Sequence, residues 1–195
     1  MPRLVDHAER RRAIIEAAWR IIADRGIDGI TMRDLAAEAG YANGALSHYF
    51  SGKDEILCTA FEYVIDATNR RIERSVGGRQ GLAALRRMCL EIMPVTDEAR
   101  LEARIAVSLW QRAMNDPDMA EFNNVAVTEW KSRLARYWAE AIAAGELPDT
   151  DLGIGVESLM TMMIGLQVTA VIGPVATTRR SQLALLDSLL GAGPA

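Results

Sequence analysis

Hydrogen-bonding and small side chains lie close together near position 45 of the chain. Asn43, Ser47 and His48 carry amide, hydroxyl and imidazole groups, and Gly44 and Ala45 between them are small. An Asn amide can pair with the edge of adenine, and small residues permit close approach to a base or contact with a thymine methyl group. These residue types favour binding to base edges. Two alternatives stay open, in which Gly44 only relieves steric crowding and His48 contacts a phosphate.

A short helix is predicted just before this group, at residues 31–40. Thr31 is its expected N-cap, because a threonine oxygen accepts a hydrogen bond from an otherwise unpaired N–H two or three residues later. Leu35 and Ala36 belong to its apolar stripe, and Gly40 follows where the end of a helix favours glycine.

A second short helix is predicted at residues 43–50. Leu46 and Phe50 are four residues apart and form its inner face, which leaves the hydrogen-bonding side chains facing outward. Two short helices joined by a tight turn describe a helix-turn-helix, whose second helix enters the major groove of double-stranded DNA.

The apolar residues keep a helical period along the whole chain, and no segment alternates with a period of two. The predicted fold is therefore all-α, with about nine helices. The predicted helices lie at residues 7–25, 31–40, 43–50, 51–75, 82–93, 97–115, 117–144, 149–172 and 177–190. The expected N-caps beyond the helix-turn-helix are Ser51, Thr96 or Asp97, Asp116, and Asp149 or Thr150.

A break in the pattern at Gly77 and Gly78 predicts a domain boundary. We expect an N-terminal three-helix helix-turn-helix domain at residues 1–52, a connecting helix at 53–77 and a larger helical domain at 78–195.

The charge of the chain gives no general attraction for nucleic acid. The 195 residues carry a formal charge of -4, and acidic residues equal arginines in number within the first 50 positions. A DNA-binding prediction therefore depends on where particular groups lie. Arg10, Arg11 and Arg12 form one basic cluster, which is either free to approach phosphates or an ordinary solvated helix face.

Other classes of protein are disfavoured by the motifs of the chain. Its two cysteines, Cys58 and Cys89, form no CxxC pair, so we expect no disulfide, no metal site and a reducing, cytoplasmic setting. His7 and His48 are its only histidines, and it has no HExxH, GxSxG or glycine-rich phosphate loop, so we expect no enzyme and no cofactor. Residues 158–178 lack charge, but glycines and a proline interrupt them, which favours a buried helix over a membrane span.

The N-terminal region resembles the TetR/AcrR transcriptional regulators. The resemblance is carried in order by IIEAAWRIIADRG, TMRDLAAEAG, NGALSHYF and KDEIL. The second half is similar to the ligand-binding region of BetI-type members, through SLWQRAMNDPDMAEF, EAIAAGELPDTD and MMIGLQVTAVIGP. Two residues depart from the family pattern: Ala42 stands where relatives commonly have a capping serine, and Tyr41 where they have a small aliphatic residue.

The resemblance implies a ligand-responsive regulator, expected to be a repressor that a small-molecule inducer releases from a palindromic operator. It also assigns Thr31, Arg33, Tyr49 and Lys53 to DNA phosphates. For Tyr49, packing against the preceding helix is the alternative. A helix-turn-helix protein that binds only a ligand or another protein is the rival function, and the charge balance favours it.

An inducer site is expected in the second half of the chain. Aromatic residues and methionines suit irregular apolar pockets. The candidates are Trp110, Met114, Met119, Phe122, Trp130, Tyr137, Met160, Met163 and Gln167. For each of them the alternative is an ordinary place in the core. Aromatic side chains can hold a quaternary ammonium group through cation–π contacts, and choline is suggested by the BetI resemblance alone.

A homodimer is expected from the last two helices. The helix at residues 151–172 is apolar nearly all round and needs cover on two sides, while Leu183, Leu186 and Leu189 mark an apolar face of the final helix. A four-helix interface built by two protomers would cover both.

Overall fold

The computed structural model describes residues 3–26, 31–42, 44–173 and 178–191, without the side chains of residues 3–8 and 23. The described part contains eight α-helices, one 3₁₀ helix and no strand, which confirms the all-α prediction. The elements are α1 (Arg3–Arg25), α2 (Met32–Glu38), the 3₁₀ helix (Ala45–His48), α3 (Lys53–Val76), α4 (Gly81–Ile92), α5 (Asp97–Ala113), α6 (Pro117–Ala143), α7 (Leu152–Ile172) and α8 (Arg179–Leu189).

Short polar side chains begin several of these helices. The Thr31 hydroxyl accepts a hydrogen bond from the Asp34 N–H at 3.0 Å, and Thr96 accepts one from the Ala99 N–H at 3.1 Å. The Thr31 cap was predicted, and Thr96 was one of the two residues predicted for the start of α5. The predicted start of α7 was wrong by one or two residues, because the side chain that accepts from the Ile154 N–H is that of Asp151.

The described chain divides into two compact units. The first unit comprises Met1–Val64 and Arg104–Ala120, and the second comprises Ile65–Ala103 and Glu121–Ala195. Helices α3, α5 and α6 each contribute residues to both units. The predicted domain limits at residues 52 and 77 stay predictions.

The core of the first unit is built from the predicted apolar faces of its helices. Ile14 and Ile22 of α1 are fully buried, as are Leu35 of α2 and Ile56 and Leu57 of α3. Because α1, α2 and α3 share this core, the stretch between α2 and α3 is attached at both ends to buried helices.

The core of the second unit joins α4, α6, α7 and α8. Its buried members include Met88 of α4, Leu134 of α6, Leu159 of α7 and Leu186 of α8. A buried ion pair adds a polar contact between α3 and α5 within this unit. Arg71 donates two hydrogen bonds to the Glu102 carboxylate, at 2.6 and 2.7 Å, and these oppose the rise that burial causes in the Glu102 pKa.

Among the described helices, α7 is long and apolar enough to cross a membrane by length and composition. Its Val156 and Leu159 lie in the core of the second unit, whereas Ile154 is 67% exposed and Ile164 is 37% exposed. One chain therefore covers only one side of α7. An exposed apolar side of this kind is typical of a helix that packs against a second protein surface.

Candidate DNA-binding surface and ligand region

Two hydrogen bonds between Thr31 and Asp34 hold the N-terminus of α2. The Thr31 hydroxyl accepts from the Asp34 N–H and donates to the Asp34 carboxylate at 2.6 Å. The second bond is the main reason that the pKa of Asp34 is lowered. Since Asp34 is ionised at neutral pH, a phosphate bound by the Thr31 hydroxyl has to replace this internal bond. Arg33 is exposed and forms no ion pair with the described residues, so its guanidinium is available for a phosphate.

The recognition segment, which we define as residues 44–50, differs from the prediction. Its only helix is the 3₁₀ helix, not an α-helix over residues 43–50. Gly44 precedes it with φ of 94°, in the left-handed region, and no side chain caps the helix N-terminus. Ala42, which stands where relatives commonly have a capping serine, has no side-chain oxygen, although its carbonyl accepts a hydrogen bond from the Ala45 N–H at 3.0 Å. Asn43 lies outside the described residues.

The side chains of the recognition segment separate into an inner and an outer set. Leu46 and Phe50 are 1% and 2% exposed, as their spacing predicted. Ser47 and His48 are exposed, and the Ser47 hydroxyl donates to the Gly44 carbonyl at 2.7 Å. The outer set therefore offers its polar groups to solvent from a segment anchored by two apolar side chains.

Tyr49 and Lys53 border the recognition segment. Tyr49 is half-buried, and its ring centre lies 6.4 Å from that of Tyr41, at an angle of 45°. Packing of the Tyr49 ring and a phosphate contact through its hydroxyl are compatible, because they use different ends of the side chain. Lys53 is half-buried as the first residue of α3, near unpaired backbone N–H groups that favour anions.

The start of α3 corrects the expectation that Ser51 is its N-cap. The helix begins at Lys53, and Ser51 donates to Glu55 instead of accepting from the backbone. Its N–H and hydroxyl reach the same Glu55 oxygen at 2.7 and 2.9 Å. These bonds, and then a bond from Arg11, lower the pKa of Glu55. Glu55 is therefore a carboxylate that fixes the chain immediately after the recognition segment.

Arg11 was not predicted to be part of this arrangement. Its guanidinium donates to the Tyr49 carbonyl at 2.8 Å and to Glu55 at 3.1 Å, and it lies 4.4 Å from the centre of the Phe50 ring. Neither of the two alternatives for the arginine cluster, a free cation or a solvated helix face, describes Arg11, because its guanidinium is bonded within the protein. No short-range pattern in the sequence indicates this role of Arg11, because its partners Tyr49 and Glu55 lie 38 and 44 residues away.

The ligand candidates fall in both units, so each group is described separately. Trp110 and Met114 belong to the first unit, where Trp110 is half-buried and Met114 is 77% exposed. Met119 also belongs to it and is buried, with its sulfur 3.9 Å from that of Cys58. The other six candidates belong to the second unit.

Three of those six lie in the core and three are half-buried. Tyr137, Met160 and Met163 are at most 6% exposed and belong to the core of the second unit. Phe122, Trp130 and Gln167 are half-buried. The Trp130 indole N–H donates to Asn69 at 2.9 Å, and the Gln167 amide donates to the Ile92 carbonyl at 2.9 Å. Tyr137, Met160 and Met163 therefore occupy ordinary core positions, which was the alternative given for each candidate. That any of the six residues lines a ligand cavity stays a prediction.

An apolar groove runs between α7 and α8 on the outside of the second unit. It has a volume of about 790 Å³ and is lined in part by Ile154, Met162, Leu185 and Leu189. A smaller adjoining depression of about 320 Å³ reaches Trp138. None of the ligand candidates lines either of them, so these two depressions point to a different use from the predicted inducer site.

Both the N-terminal region and the second half of the chain match known protein families. Residues 14–58, which contain α2 and the recognition segment, match the tetR family of bacterial regulatory proteins. Residues 82–193 match the C-terminal region of BetI-type transcriptional repressors.

Individual relatives align along nearly the whole chain. The HTH-type transcriptional regulator PksA of Bacillus subtilis is 32% identical over 181 residues, which cover 92% of this chain and 87% of PksA. The HTH-type transcriptional regulator BetI of Burkholderia lata is 26% identical over 202 residues, with coverage of 97% and 98%.

The fold is also that of solved regulators. A transcriptional regulator from Saccharomonospora viridis, solved in complex with choline, superposes with a TM-score of 0.85 at 24% identity and covers 92% of this chain and 95% of its own. The chain therefore belongs to the tetR family of bacterial regulatory proteins, and it is a helix-turn-helix transcriptional regulator with a BetI-type C-terminal region.

Proposed function

We propose that this regulator is a repressor that binds a palindromic DNA operator as a homodimer and leaves it when a small organic inducer binds. The observation that supports DNA binding most directly is the surface around the recognition segment. None of the eight described DNA-binding candidates is buried, whereas Leu46 and Phe50 anchor the segment from below. The role is one of binding, without catalysis, in the cytoplasm.

The proposed DNA contacts are of two kinds. Some position the protein on the duplex, and others read the base sequence. Thr31, Arg33, Tyr49 and Lys53 bind phosphates, which supply most of the affinity. The residues proposed to read base edges are Asn43, Gly44, Ala45, Ser47 and His48. Because the chain has a charge of -4, affinity must come from these particular contacts and from their duplication in a dimer.

A second copy of the chain is the proposed occupant of the groove between α7 and α8. Ile154, Leu185 and Leu189 are 67%, 45% and 39% exposed in one chain, and apolar side chains gathered in one patch favour association. Two-fold pairing of α7 and α8 gives the four-helix interface expected from the sequence. In the proposed organisation residues 1–52 bind DNA, residues 53–77 connect, and residues 78–195 bind ligand and dimerise.

The inducer is proposed to be a small organic cation of the quaternary ammonium class. The support is the choline found in the Saccharomonospora viridis structure, together with the half-buried aromatic side chain of Trp130 in the second unit. Within the second unit, we place the inducer among its own candidates, Phe122, Trp130, Tyr137, Met160, Met163 and Gln167. Binding shifts the protein between two poses of α3 only if the inducer has unequal affinity for them. Adjacent major grooves lie about 34 Å apart, so a change of pose alters the fit to two half-sites.

Selection from random duplex DNA with the full-length chain tests the proposal. A palindrome is expected, with log K falling linearly as log salt rises, by about 0.9 per neutralised phosphate. Choline is then titrated into the complex and is expected to lower operator affinity. Recovery of no preferred duplex, together with salt-independent binding, would support the rival function of a ligand-binding or protein-interaction module. An unchanged affinity at saturating choline would exclude choline as the inducer.

Two substitutions separate reading from positioning. Tyr49→Phe removes one proposed phosphate contact and is expected to weaken binding to operator and random duplex equally, by about 1 kcal/mol. Asn43→Ala removes a base contact and is expected to cost about 1–3 kcal/mol on operator alone. The measurement is fluorescence anisotropy with both duplexes at one salt concentration. An equal loss on both duplexes for Asn43→Ala would remove Asn43 from the set of reading residues.

A further inference from the structure

The recognition segment has little local support of its own. Its 3₁₀ helix has four residues, no side-chain cap and a left-handed Gly44 at its start. An isolated helix of this length is far below the length at which helices are stable in water. Its position must therefore come from contacts with the rest of the first unit.

Arg11 supplies the polar part of those contacts. The Tyr49 carbonyl lies at the C-terminal end of the 3₁₀ helix, where carbonyls lack helical partners, and Arg11 donates to it at 2.8 Å. The same guanidinium donates to Glu55 at 3.1 Å and to Thr59 at 3.3 Å, both on α3. Its face lies over Phe50, 4.4 Å from the ring centre. One side chain of α1 thus joins the end of the recognition segment to α3.

The ion pair between Arg11 and Glu55 indicates that the Arg11 charge is used within the protein. Its positive charge is paired with the Glu55 carboxylate, which also holds the backbone N–H and the hydroxyl of Ser51. A paired guanidinium attracts a phosphate less than a free one, such as that of Arg33. Lysine carries all its donors on one nitrogen and has no flat face, so it cannot reproduce bonds from two separate nitrogens together with the contact to the Phe50 ring.

We propose that Arg11 is a positioning residue for DNA reading, which fixes residues 49–51 against α3 and so sets where the recognition segment presents its side chains. Arg11 itself makes no DNA contact. The effect on reading rests on the proposed operator binding, whereas the effect on the segment does not.

Amide hydrogen exchange of the full-length chain, measured without DNA, tests the positioning. Arg11→Ala is expected to raise exchange at residues 45–51 by about tenfold, the factor that corresponds to one charge-assisted hydrogen bond. Arg11→Lys keeps the charge and is expected to raise it as well. Arg12→Ala is the matched control, because Arg12 contacts Glu16 of its own helix and Tyr63 of α3 but no residue from 45 to 51 among its described contacts, and it should leave these amides unchanged. Unchanged exchange in both Arg11 variants would overturn the proposal.

The salt dependence of DNA binding tests whether Arg11 touches DNA. On the duplex selected by the wild-type chain, Arg11→Ala and Arg11→Lys should each lose about tenfold in affinity, with a slope of log K against log salt equal to that of wild type. Arg33→Ala removes a proposed phosphate contact from each of the two protomers and should reduce the slope by about 1.8, or about 0.9 for each contact. A reduced slope for Arg11→Ala and an unchanged one for Arg11→Lys would make Arg11 a phosphate contact and overturn the proposal.

A further variant keeps the proposal testable if Arg11→Ala does not fold. Glu55→Gln leaves Arg11 in place but removes its charged partner, and it should raise exchange at the same amides and lower operator affinity with an unchanged slope. If the wild-type chain selects no duplex at all, the operator function fails, and the exchange experiment still decides whether Arg11 fixes the segment.

Discussion

Leu189→Asp is expected to separate the proposed dimer into monomers and to lower operator affinity by about 10²–10⁴-fold, the factor that linking two binding sites contributes. Leu189 lines both depressions at the outer side of α7 and α8, and it is 39% exposed in the single chain. In a two-fold interface the substitution places two carboxylates in an apolar contact, where an unpaired charge is strongly unfavourable. Sedimentation or light scattering reports the dimer, and anisotropy reports operator affinity.

The matched control for this substitution is Val125→Asp. Val125 is also an apolar side chain on the surface of the second unit, 64% exposed on α6, but it does not line the groove. It should leave the mass in solution and the operator affinity unchanged. A Leu189→Asp protein that stays dimeric would exclude the groove as the dimer interface, and a wild-type monomer would exclude the dimer itself.

Gly155→Ala is expected to destabilise the second unit by about 1–3 kcal/mol, which is the usual cost of overpacking a core. A Cβ atom at position 155 would lie 2.6 Å from Cζ2 of Trp138 and 2.8 Å from Cε2 and Cη2. Trp138 is 5% exposed, so its ring is packed on most sides. Elsewhere in a helix the same substitution gains up to about 1 kcal/mol, so the expected sign is opposite to that of helix propensity.

A second substitution identifies the cause. Trp138→Phe replaces the two-ring indole with a single, smaller ring, and it removes the buried indole N–H, which has no hydrogen-bond partner among the described residues. The double variant should therefore lose less stability than the sum of the two single variants. Urea unfolding of all four proteins gives the coupling free energy. Additive losses would show that the contact between Gly155 and Trp138 is not what makes Gly155→Ala unfavourable.

Much of this protein could be predicted from short-range patterns in its sequence. The spacing of Leu46 and Phe50 predicted which side of the recognition segment is buried, because neighbours on one helical face are three or four residues apart. The Thr31 cap could be predicted for a similar reason, since its hydrogen bond spans only three residues. The resemblance of residues 14–58 and of the second half identified the family, which the comparisons confirmed.

The tertiary structure decided those features in which local preference and long-range contacts compete. The recognition segment forms a 3₁₀ helix without a side-chain cap, and its position is set by Leu46, Phe50 and the distant Arg11. Ser51 donates to Glu55, and the same carboxylate also accepts a hydrogen bond from the distant Arg11. By itself, therefore, the sequence determined the helices, their buried faces and the family. Which polar groups are paired and which stay available for DNA depended on hydrogen bonds between residues far apart in the chain, and periodicity carries no information about such pairs.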